Sequence, residues 1–189
     1  MQLRKGAEFT GTGFGLFLCL LTAAGCDVTG TAGAVHPEGR ALLIEEEPSG
    51  ARGVLEVKSA LQEADDPSEP VELLLYGTVG GVEGFVWEPD RAVFTVMDAE
   101  LGDVGHSHGA GHDADNCPFC RANRKKALEA TAQIRMVDRA GQVMSIDART
   151  LLGLSEGQTV VVRGRGHIGS LGNLVVDGEG LYVRPRVNR

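Results

Sequence analysis

The fifteen residues from His106 to Cys120, "HSHGAGHDADNCPFC", hold three of the chain's five histidines and two of its four cysteines. The donors fall as H-x-H-x3-H-x4-C-x2-C: His106, His108, His112, Cys117 and Cys120. Two cysteines separated by two residues can close on one ion through both sulfurs. Imidazoles add borderline nitrogen ligands, and four such groups satisfy tetrahedral zinc. Thiolates would equally favour copper(I). Gly105, Gly109 and Gly111 allow the backbone to wrap around an ion. His112, Cys117 and Cys120 form the centre of this set, His106 and His108 compete for the remaining position, and Asp113 or Asp115 could supply oxygen.

The residues that follow have to position the thiols. "CPFCRANRKKALEA" reads as a helix with Pro118 at its first position, where a missing N–H is harmless. Cys117 then falls at the N-cap and Cys120 in the first turn. Exposed backbone N–H groups, the helix dipole and the neighbouring Arg121 and Arg124 all favour thiolate, the metal-binding form. Three readings compete for this stretch. One is a closed metal site, structural or sequestering, since two thiolates leave little reason for an open catalytic position. The second is a C-x-x-C redox centre, although the βαβ setting of thioredoxin-like enzymes is missing. The third is a polar surface loop.

The chain start reads as a processing signal, residues 1–25, with Arg4 and Lys5 before the apolar "FGLFLCLLTAAGC". That run is far short of the roughly 20 residues of a membrane-spanning helix. Its end, Ala23-Ala24-Gly25-Cys26, resembles the lipobox of bacterial lipoproteins. The resemblance implies that Cys26 becomes a lipidated first residue, anchoring the chain to a membrane of the cell envelope, in the periplasm or another extracytoplasmic space. Cys19 would leave with the leader. Cys117 and Cys120 would then be the only side-chain thiols, which excludes a scaffold stapled by several disulfides.

Residues 26–52 are small, polar and acidic apart from Ala41-Leu42-Leu43-Ile44, and predict a flexible tether. Residues 53–189 are the expected domain, with 104–129 as a Cys/His insertion. "GVLEVKSALQEA" carries Val54, Val57 and Leu61 at helical spacing. Strands follow in "VELLLYGTVGGV", "AVFTVMDAE", "ATAQIRMVDRAGQVMSIDA" (strand, turn, return strand) and "QTVVVRGRGHIGSLGNLVVDGEGLYVR", where β-branched and polar residues alternate and glycines mark bends. The fold class is mainly β.

The glycine-kinked "LLLYGTVGG", the acid closing "FTVMDAE", and the phrase "LSEGQTVVVRGRG" together resemble the OB-fold, a five-stranded Greek-key barrel, over about residues 70–185. The resemblance implies a small binding barrel, to which the residues themselves add a short N-terminal helix and a loop-helix insertion. Two departures stand out: Leu151–Gly157 is too short for the usual helix between the third and fourth strands, and the insertion follows the second strand.

Charge narrows the functions. The full chain carries a net charge of −8, with 17 acids and 4 bases in residues 26–103 against 8 acids and 12 bases in 104–189. An acidic envelope protein is a poor candidate for general nucleic-acid binding, which requires neutralising phosphates. Trp87, Phe85, Phe94 and Tyr76 are candidates for the ligand face where OB-folds stack bases or sugars, with Phe94 expected in the core by default and Phe85 and Trp87 at the surface. His167, in a strand-turn region, reads as a satisfied or exposed histidine before a ligand, although it is the best distant fifth ligand, and His36 has no visible role. No catalytic triad or phosphate-cradling loop is readable, so nothing calls for an enzyme. The expectation is a lipid-tethered, zinc- or copper(I)-binding OB barrel, with a thiol-disulfide oxidoreductase or an oligonucleotide or glycan binder as its rivals.

Overall fold

The computed structural model describes residues 34–101 and 117–185, with the backbone alone for Glu83 and 118–120. In chain order the elements are α1 (Pro37–Arg40), α2 (Val54–Gln62), β1 (Val71–Val79), β2 (Trp87–Glu88), β3 (Val93–Met97), α3 (Pro118–Glu129), β4 (Thr131–Met136), α4 (Ala148–Leu152), β5 (Thr159–Ile168) and β6 (Leu174–Val183). Single 3-10 turns cover Val82–Gly84 and Ala99–Leu101.

Five of these strands close into a barrel. The order β1-β5-β6-β4-β3 returns to β1 through Thr78↔Met97 and Val79↔Val96. All neighbours are antiparallel except β4 and β6, which run parallel. This is a mainly β fold compatible with an OB-like barrel. The extra strand, β2, covers the half of β3 that β1 leaves unpaired. At two residues it is too short to produce a periodic signal.

The alternation read in the sequence becomes the core. Leu73, Leu75 and Val79 of β1, Phe94 and Val96 of β3, Ile134 and Met136 of β4, Val160 and Val162 of β5, and Leu174, Val176 and Leu181 of β6 all point inward. Val54, Val57 and Leu61 of α2 join them, each burial stabilising by roughly 1.5–3 kcal/mol. Gly164 sits at a β-bulge between β5 and β6, where a Cβ would collide with the Asp177 carbonyl. The absent side chain therefore lets β5 coil tightly against β6.

Three expectations need correction. A helix does precede β5: Asp147 accepts the Arg149 N–H at 2.9 Å as N-cap, and Gly153, at φ 67°, ends α4 in the left-handed region. The expected return strand is reduced to one bridge, Val137↔Val143, because the chain turns into that helix. The Asp147 carboxyl is held below the ordinary carboxylate range, chiefly by the Arg149 side-chain hydrogen bond, with burial opposing. Its contribution to stability is therefore complete above about pH 4 and lost as pH falls through the lowered folded value. Urea midpoints taken from pH 5 to pH 3 should drop less in Asp147→Asn than in the parent chain.

The third correction concerns the tether. Residues 36–52 are packed on the barrel. The His36 N–H bonds the Thr150 and Leu151 carbonyls. Leu42 and Leu43 pack against the core, the Leu181 N–H donates to Leu42 O at 2.7 Å, and the Ile44 N–H donates to Leu181 O at 2.8 Å. Farther on, the Arg52 N–H donates to Leu74 O and the Tyr76 N–H to Arg52 O. The segment thus satisfies backbone groups on β6 and β1 that no barrel strand pairs, as buried donors and acceptors require. Residues 26–33 lie outside the described part.

Candidate functional site

The helix expected after the Cys/His run forms as predicted. In α3, Cys117 is the N-cap residue with extended backbone (φ −87°, ψ 118°), and Pro118 opens the helix. Cys120 therefore belongs to the first turn, and the Cys117 side chain is half-buried. Near the helix end the Lys58 Nζ donates to Glu129 O at 3.1 Å, a cation at the negative pole of the dipole. Ala127 and Ala130 are buried, and α3 also packs against the Val82–Gly84 turn.

His106, His108, His112, Asp113 and Asp115 lie outside the described residues, as does Cys26, and the Cys120 side chain is likewise undescribed. Among the described residues no three His, Cys, Asp or Glu side chains gather to hold an ion. His167 lies on β5 opposite Val175, with Nδ1 enclosed and without a hydrogen-bond partner among the described residues. His36 is structural: its Nδ1 accepts the Glu38 N–H at the start of α1.

The aromatic residues divide. Phe94 is buried and Phe85 is 78% exposed. Trp87, expected at the surface, is half-buried: its ring lies 6.1 Å from that of Phe94, and its Nε1–H donates to Glu156 at 3.3 Å. The Arg149 guanidinium sits 5.7 Å from the Trp87 centroid, within cation–π range. Tyr76 is covered by Arg184 at 5.4 Å, and its hydroxyl donates to Glu100 at 3.5 Å. Burial, then the charges of Glu100 and Asp98, push the Tyr76 phenol upward, so it stays a neutral donor.

Two polar features were not read from the sequence. Asp98, buried after β3, accepts the Leu55 N–H at 2.9 Å and the Glu100 N–H at 3.0 Å. Arg135 and Asp177 form a two-pronged pair on the parallel β4/β6 ladder, at 2.7 and 2.9 Å. The acid ending "FTVMDAE" was the one visible hint of the first. The second joins residues 42 apart and left none.

The fold defines a closed five-strand β-barrel carrying, between its second and third barrel strands, a helix with Cys117 at its N-cap position. No protein-family model, curated protein or solved structure matches this chain.

Proposed function

We propose that this chain is a metal-binding protein of the cell envelope, built on an OB-type barrel and tethered through a lipid on Cys26. Zinc or copper(I) is held by Cys117 and Cys120 with His112 and one of His106 and His108. The observation that carries the reading is the backbone of α3. Its N-cap and its first turn are both cysteine, so two sulfur donors three residues apart share the end of a helix that stabilises thiolate. The spacing of the preceding histidines supplies the rest of a tetrahedral set. The bound metal would order the insertion for a partner or be the cargo itself.

The same helix position favours a second reading, thiol–disulfide exchange, because a thiolate at a helix start is also a nucleophile. Metal analysis separates the two. Protein purified without a histidine tag should carry close to one equivalent of zinc or copper, and Cys117→Ser/Cys120→Ser should carry none. If the parent chain holds neither metal and takes up neither on addition, the metal reading fails. A reduction potential in the range of dedicated oxidoreductases, with turnover of a model disulfide, would then favour the second reading.

A further inference from the structure

We infer that the outward face of α3 is a docking surface for an anionic lipid bilayer. The helix is the most basic element of an acidic chain: Arg121, Arg124, Lys125 and Lys126 stand against one acid, Glu129. Ala127 and Ala130 turn toward the barrel and are buried. Arg121, Lys125 and Leu128, at i, i+4 and i+7, share the opposite face, and all three are exposed. Lys125 keeps 80% of its side-chain surface exposed, and its contact with Glu129 is a loose 3.9 Å. Leu128 is 55% exposed.

A second apolar group lies on a neighbouring element. Phe85, 78% exposed, ends the 3-10 turn that α3 packs against. The basic residues of α3 thus stand beside two exposed apolar side chains, Leu128 and Phe85, whereas the exposed Leu171 has no such basic helix around it among the described residues. A bilayer accounts for both, since phosphate headgroups take the cations and the headgroup–acyl boundary takes the apolar tips. An acidic protein surface would match the charge alone. The inference rests on the tethered reading for bringing α3 within reach of lipid, and on the geometry of α3 for the contact itself.

The full chain is mixed with phosphatidylcholine vesicles with and without phosphatidylglycerol, and the ratio of the two partition coefficients is read. Any acyl chain or retained leader adds to binding in the parent and its variants alike. Each basic residue near an anionic surface is worth about a factor of five. Arg121→Glu/Lys125→Glu should therefore lower the anionic-to-neutral ratio by about 25-fold or more, and raised salt should lower it in the parent. Arg139→Glu/Arg163→Glu, which reverses two exposed charges elsewhere, should leave most of the ratio intact. All substituted positions are solvent-facing, and unchanged circular dichroism and melting confirm the fold. A ratio equal in the parent and the α3 variant, or lowered as much by the control, overturns the inference. Mass analysis of Cys26 tests the anchor separately: an unlipidated chain that keeps the ratio retains the α3 surface and loses the anchor.

Discussion

Replacing Gly39 by valine will lift residues 36–52 from the barrel and cost about 3 kcal/mol. Gly39 is buried, and a Cβ there would run into the carbonyl of Leu151, a backbone atom pinned at the end of α4. Neither side can yield cheaply, because the His36 N–H bonds the same carbonyl. Overpacking alone typically costs 1–3 kcal/mol. If α1 moves away, the half-buried Leu42 and Leu43 lose contact with the core. The Glu47–Arg184 pair at 2.6 Å opens with them, although an exposed pair contributes little. Urea titration measures the loss, and amide exchange locates it: the Leu181 and Tyr76 N–H groups, both bonded to this segment, should exchange faster than the core of β3. Unchanged protection at Leu181 would refute the assignment.

Removing the Asp98 carboxyl group should be of comparable effect, about 2–3 kcal/mol for Asp98→Ala. The residue before α2 is Gly53, which offers no side chain to cap the helix. Asp98 supplies the missing acceptor from across the fold, bonding the Leu55 N–H, and it also holds the Glu100 N–H. A lost cap costs typically about 1 kcal/mol, and the two part-buried donors left without Asp98, the Leu55 and Glu100 N–H groups, add about 1–2 kcal/mol more. The glycine now has a reason: a Cβ on Gly53 would lie 2.9 Å from Asp98 Oδ2. Asp98→Asn keeps one oxygen acceptor and should lose roughly half as much. The denaturant midpoint gives the magnitude. Faster exchange at Leu55 ties it to the cap, and a midpoint unchanged in Asp98→Ala would rule the cap out.

The barrel was legible because its strands are half-buried: Leu73, Leu75 and Val79, or Val160 and Val162, alternate with groups that face outward. Helix α2 was legible for the same reason at a different period. Elements too short to repeat were not. Helix α4 has five residues and announces itself only by Asp147 and Gly153, while β2 has two. Residues 36–52 were misread because Glu45-Glu46-Glu47-Pro48 looks like linker composition. What holds them is a demand for backbone partners on β6 and β1, which appears only once the barrel has closed. The start of α3 was legible through Pro118, whose fixed φ marks the opening of a helix.

The docking of residues 36–52 also sets a leash. With an acyl chain on Cys26, only ten residues separate the lipid from His36, a span of at most about 35 Å. Had the first held residue been Gly53, the reach would approach about 95 Å. On the proposed anchor at Cys26, the barrel would be confined to a shell about its own diameter deep above the bilayer. A partner of the chain so anchored would then have to be membrane-bound itself or travel to the membrane.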